Sequence, residues 1–224
     1  MTNHTITTED FIGLTRQYDL IWIGEIHGIR ENYKAYEILI SLLTENGFNI
    51  VVWEMPADFN ELSRHTEDGR VNSCAILFLA WLCAKMNEKK IKETTYFGDM
   101  KENNGIFQNR EKKMAAQVVR AVKDKKCIII TGNFHMGGPR NMKLRIEPCL
   151  DIVKRITGLK ILKVALSYAG GTLYNFGLKE FSNDFYFGDK DDLEFGTMTK
   201  RTDEDIVFFH VGKAHAVFKH PAKG

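Results

Sequence analysis

A chain of 224 residues with 44% hydrophobic and 27% charged residues has the composition of a globular protein that can bury a full core. Its 31 basic and 29 acidic residues leave a formal net charge of +2, which excludes nucleic-acid binding driven by bulk charge. The start, MTNHTITTEDFIG, has neither a basic region nor an apolar run, so no secretory signal is expected.

In chain order, Asp19 to Gly24 (DLIWIG) predicts a buried strand, and Asn32 to Thr44 carries apolar residues at helical spacing, stopped by Asn46 and Gly47. Ile50 to Trp53 (IVVW) predicts a second strand, ending at Glu54, Met55 and Pro56. Helices are expected over about Asp58 to Arg64 and Ser73 to Lys90. The latter contains CAILFLAWLCA (Cys74 to Ala84), too short to span a bilayer and read as a buried helix, so no membrane partner is expected. A weaker strand, TTYFG, leads to Asp99. Asn109 to Lys123 is an amphipathic helix with Met114 and Val118 on one stripe.

Cys127 to Thr131 (CIIIT) predicts a fourth strand, followed by GNFHMGG, a helix over Glu147 to Ile156 and a fifth strand over Ile161 to Leu166. The last third, with AGGTLYNFG, NDFYFGD and DIVFFHVG, turns strand-rich. Continuous apolar strands alternating with helices predict an α/β fold with a mainly parallel central sheet flanked by helices. Additional antiparallel strands come from the C-terminal third. Absence of any linker composition predicts one domain over residues 1–224, with its core at 19–166 and an extension at 167–224. Cys74, Cys83, Cys127 and Cys149 show no CxxC spacing and are read as reduced core residues of a cytoplasmic protein.

The strand ends carry the chemistry. The first strand ends in Glu25 and His27, the second in Glu54, the third at Asp99 and the fourth at His135. In parallel α/β sheets the crevice beyond the carboxyl ends of the strands is where ligands bind. Two glutamates and two histidines, each beside glycine or proline, have no packing reason to stand there. Burying them is costly unless they are paired, hydrogen-bonded or metal-bound.

GEIHG, WEMP, NREKKMA and TGNFHMGG occur in that order on matching elements between Asp19 and Gly138. In this the chain resembles the erythromycin-esterase-like and ChaN-like superfamily, a clan that includes the TraB and Tiki proteins. The resemblance implies a mixed α/β core with an active site at the strand ends. It places the family's site residues on Glu25, His27, Glu54, Arg110 and His135, with Glu31 as a further candidate. The single residue between Glu25 and His27 is closer to the ChaN and Tiki branches than to the esterases, and points away from macrolide-ester hydrolysis itself.

Three chemistries suit these residues. The first is metal-free hydrolysis of an ester or amide in a small molecule or peptide. There His27 is the base, Glu25 or Glu54 orients it, and His135 and Arg110 stabilise an oxyanion. The second uses Glu25, His27, Glu54 and His135 as ligands of a divalent metal such as Zn, Mn or Fe, as the Tiki-like relatives imply. The third, implied by the ChaN-like relatives, is binding of haem or another small ligand without turnover, for which Tyr33, Tyr36 and Met136 are the available axial side chains. His210 and His215 lie outside the matched region and read as residues of a late edge strand. The sequence sets no oligomeric state.

Overall fold

The computed structural model describes residues 3–55, 66–97, 107–123, 126–137, 143–181, 193–202 and 204–218. Strand β1 (Asn3–Ile6) is followed by helix α1 (Thr8–Thr15), β2 (Leu20–Glu25), α2 (Glu31–Thr44) and β3 (Ile50–Glu54). Then come α3 (Ser73–Asn87), β4 (Glu93–Phe97), α4 (Phe107–Val122), β5 (Cys127–Gly132) and the one-turn α5 (Asn133–Met136). The chain closes with α6 (Cys149–Thr157), β6 (Ile161–Tyr174), β7 (Leu178–Phe181), β8 (Met198–Arg201) and β9 (Ile206–Ala214).

Among the described residues one nine-stranded sheet runs in the order β1-β8-β9-β6-β2-β5-β3-β4, with β7 paired to β6. The pairs β6–β9, β6–β2, β2–β5, β5–β3 and β3–β4 are parallel; β1–β8, β8–β9 and β6–β7 are antiparallel. The fold is thus a mixed α/β sheet, mainly parallel, flanked by helices. Of the late strands β9 is parallel to β6 and interior to the sheet, not an edge, because β8 and β1 cover its far side. The expected helix over Asp58 to Arg64 and the segment NDFYFGD lie outside the described residues.

Period two sorts the strand residues onto two cores. Ile21, Ile23, Val51, Trp53, Ile128 and Ile130 meet α2 and α3 through Tyr36, Leu39, Phe78 and Leu82. Leu20, Trp22, Val52 and Ile129 meet α4 and α6 through Met114, Val118, Leu150 and Val153. Helix starts follow local chemistry: Thr7 and Asp10 form a capping box on α1, and Asn72 accepts from the Ala75 N–H on α3. Two expectations change. Helix α6 begins at Cys149, just after Pro148, which lacks the N–H needed to continue a helix upstream. Helix α3 is not buried all round: Ala75, Phe78 and Leu82 face the core, whereas Ile76, Leu77 and Cys83 are exposed.

Candidate functional site

Parallel pairing in register brings the carboxyl ends of β2, β3 and β5 to one edge, with Glu25 opposite Gly132 and Trp53 opposite Ile130. Glu25 closes β2, and its Oε1 lies 2.5 Å from His27 Nδ1. Its Oε2 accepts from the Asn32 amide, which also donates to the Ile26 carbonyl at 2.8 Å. Tyr168, on β6, donates to Asn32 Oδ1 at 2.7 Å and so fixes the amide. His27 Nε2 is then aimed across β5 over Gly132. A Cβ on that glycine would lie 2.9 Å from Nε2, so the missing side chain makes room for the ring.

Glu54 is the hub. Its Oε2 accepts from the Gly132 N–H at 2.9 Å, and its Oε1 accepts from Arg70 Nη1 at 3.0 Å and Arg110 Nη2 at 3.3 Å. His27 Nε2 stands 4.0 Å from one oxygen and His135 Nε2 3.5 Å from the other. Arg70 is itself braced by Asp68 through Nε at 2.8 Å and Nη2 at 2.6 Å. On the far side of His135, Nδ1 lies 2.8 Å and 3.0 Å from the two oxygens of Glu111, which also accepts the Cys149 N–H at 2.8 Å. Glu111, His135 and Glu54 are buried, while the side chains of His27 and Arg110 are 16% and 32% exposed. An imidazole and a guanidinium are therefore partly exposed beside a carboxylate that is not.

Burial opposes charge on both rings, and the carboxylates overcome it. The Glu25 carboxylate, with Glu54 behind it, raises His27 above its ordinary value. Glu54 and Glu111 on either side push His135 up to about 9. Glu54 shows the converse. Burial alone would protonate it, but His135, Arg70 and His27 hold it well below the usual carboxylate range. Burial and the nearby Glu111 push the Cys149 thiol far up, which favours its neutral form.

Of the residues expected at the site, Glu25, His27, Glu54, Arg110 and His135 come together. Glu31 does not: its carboxylate accepts the His215 N–H at 2.9 Å and lies 2.9 Å from His215 Nδ1, which ties the C-terminal segment to the loop after His27. Asp99 lies outside the described residues. His210 is buried on β9, with Nε2 3.0 Å from Thr199 Oγ1.

Sequence reasoning missed Asp68, Arg70, Glu111 and Asn32. A signal existed for Glu111, since it shares the buried stripe of α4 with Met114, Ala115 and Val118, where a carboxylate needs a partner. Arg70 sits in an irregular segment where no periodicity marks a residue as buried.

The loop after His27 is clasped by distant chain. Gly28 has φ +78°, and a Cβ there would lie 1.8 Å from the Tyr174 carbonyl oxygen. Its own carbonyl accepts from the N–H groups of Tyr174 at 3.1 Å and Val217 at 3.0 Å.

The donor set does not fit a divalent ion. Among the described residues no three His, Cys, Asp or Glu side chains are arranged to hold one. Both Glu54 oxygens already serve cationic or N–H donors, and both His135 nitrogens face carboxylates. The side chains expected as axial haem ligands do not fit that role either. Tyr36 and Met136 are buried in the two cores, and Tyr33 donates to the Arg70 carbonyl and accepts from Asn72. No described helix is long and apolar enough to cross a membrane.

No protein-family model and no curated protein sequence matches the chain. Among solved structures it is similar to the type III effector HopBA1, at 12% identity over 96% of this chain and 98% of that one, with a TM-score of 0.46. It is similar also to RRSP, a MARTX toxin effector domain from Vibrio vulnificus CMCP6, at 16% identity over 72% of this chain and a TM-score of 0.46; the match spans 36% of the RRSP chain. A third likeness is to ChaN of Campylobacter jejuni, to which heme binds cofacially, at 17% identity over 73% of this chain and 87% of that one, with a TM-score of 0.36.

Proposed function

We propose that the protein is a metal-independent hydrolase that activates water against an ester or amide of a small molecule or peptide. The observation that carries this reading is the orientation of His27. Its Nδ1 is held by Glu25 at 2.5 Å, which leaves Nε2 outside that bond, 4.0 Å from Glu54, on a side chain that is 16% exposed. An imidazole held this way is a general base. Nε2 takes a proton from water, Glu25 stabilises the imidazolium that forms, and the proton passes from Nε2 to the leaving group. Arg110 has one nitrogen on Glu54 and a third of its side chain exposed, so its positive charge faces the carbonyl oxygen as that oxygen becomes an oxyanion.

His135 has a different role from the one its sequence position implies. At 2% exposure it does not touch substrate, and it acts by holding Glu54, which in turn holds Arg110 and faces His27. Direct attack by water suits the site, because the thiol beside Glu111, Cys149, is buried and held protonated.

The test is turnover of a panel of chromogenic esters and peptide amides by the purified protein, with His27→Ala and Arg110→Ala alongside. Wild-type turnover that falls by about 10²-fold or more in His27→Ala supports the base. Turnover undiminished in His27→Ala, or abolished by chelation and restored by one added metal, sinks the reading.

A further inference from the structure

Helix α3 carries a surface that the site does not explain. Ile76 and Leu77 are 61% and 69% exposed, and Ala80, Cys83 and Ala84 continue the same outward stripe at helical spacing. From Ser73 to Ala84 the helix carries no charged residue. An uncharged apolar stripe three turns long on a surface helix marks an interface.

We propose that α3 is a self-association surface, on which two copies of the chain pair through antiparallel α3 helices about a two-fold axis near Ala80. The stripe is graded, with its large side chains, Ile76 and Leu77, in the N-terminal half and its small ones, Cys83 and Ala84, in the C-terminal half. A two-fold contact must be self-complementary. Antiparallel pairing about Ala80 meets this condition, because it sets each large pair against the small pair of the other copy. A parallel pairing would set large against large.

Charge agrees with the same direction. Lys85, Lys89 and Lys90 outnumber Glu88, which pairs Lys85 and Lys90, at the C-terminal end of the helix, and Glu67 stands exposed before its N-terminal end. Antiparallel pairing brings the basic end of each copy toward the acidic end of the other, with the helix dipoles opposed. A lipid surface is the poorer occupant, since the outward stripe runs into Glu88 and bears no lysine within its apolar length. One helix pair falls below the area of a standard interface, so the association is weak, with dissociation in the micromolar range.

The experiment is sedimentation velocity on the full chain under reducing conditions, from about 5 to about 200 µM, which brackets weak specific association. A concentration-dependent monomer–dimer equilibrium is expected. Leu77→Glu should leave a monomer across the range with an unchanged melting temperature, since that side chain contributes nothing to the core. Ala80→Cys in a Cys83→Ser background should cross-link to a dimer on oxidation, because position 80 lies at the axis. A monomer at every concentration overturns the proposal, as does a dimer that persists in Leu77→Glu. Sedimentation of the monomer with phosphatidylserine-containing vesicles, abolished by the same substitution, assigns the stripe to a membrane and overturns it too.

Discussion

His135 Nδ1 lies within hydrogen-bond distance of both oxygens of Glu111, a carboxylate with no solvent exposure that also receives the Cys149 N–H. Glu111 is therefore the anchor of the cluster on the α4 side, behind His135 and Glu54. Glu111→Gln retains the shape and removes the charge. The pKa of the His135 ring, followed by NMR, should fall from about 9 toward its ordinary range. A ring titration unchanged by the substitution would show that Glu54 alone sets it.

The rate of the proposed hydrolysis should rise with pH across the neutral range. His27 works as a base only when deprotonated, and its partner Glu25 raises its pKa above the ordinary histidine value. The acidic limb of the profile should therefore lie above pH 6.5, the unperturbed value. A limb at or below that value in kcat/KM would show that Glu25 does not carry the imidazolium.

Stability should pass through a maximum in mildly acid solution. His135 has a folded-state pKa near 9 against 6.5 unfolded, so its stabilisation is complete below about pH 6.5 and lost as pH rises through 9. Glu54 is depressed below its unfolded value of 4.5, so its contribution is complete above that pH and lost as pH falls. Thermal melts should peak between roughly pH 4.5 and 6.5, the window set by the two unfolded values. A melting temperature still climbing from pH 7 to 9 contradicts this.

Gly132→Ala should separate activity from folding. The backbone there is in an ordinary extended conformation, with φ −59°. The atoms nearest the new methyl all belong to the His27 ring, at 2.9 Å, 3.2 Å and 3.7 Å. The ring must turn away, losing either Glu25 or its aim across β5. The melting temperature should stay within a few degrees of wild type, as for a change of about 1 kcal/mol, while kcat collapses. Full activity in this variant would mean that Nε2 is not the working atom.

Ile23→Ala should do the reverse. This side chain is fully buried in β2, two residues before Glu25, and its truncation leaves a cavity costing about 2–5 kcal/mol. Chemical denaturation should show the loss, while turnover by the remaining folded protein stays near wild type. A specific activity reduced as far as in His27→Ala would place Ile23 in the site's support.

The sheet was legible in the sequence because its strands are continuous apolar runs, and a run such as IVVW has few other uses in a chain of alternating elements. The cluster was legible for the same reason, since Glu25, His27, Glu54 and His135 each interrupt such a run. What stayed hidden was relational. Arg70 and Asp68 lie where no period applies, and only the folded chain shows them against Glu54. The apolar run predicts a fifth strand only over Ile161 to Leu166, before Gly170 and Gly171. The strand instead bends through them with irregular register to β9 and carries on to Tyr174. Glu31 was a candidate only through the family resemblance, and its carboxylate lies against His215.

The clasp on Gly28 sets the order in which this protein can mature. Glu25 and His27 are made early in the chain, yet the loop they stand on is fastened by Tyr174 and Val217, from its last third. A nascent chain that has completed α5 already contains Glu25, His27, Glu54, Arg110 and His135, but not the strands that lock the histidine's loop. Non-local closures of this kind come late in folding, after the entropy of a long loop has been spent. The loop that carries His27 is therefore fixed by contacts more than 140 residues away in sequence, and those close after the local elements have formed.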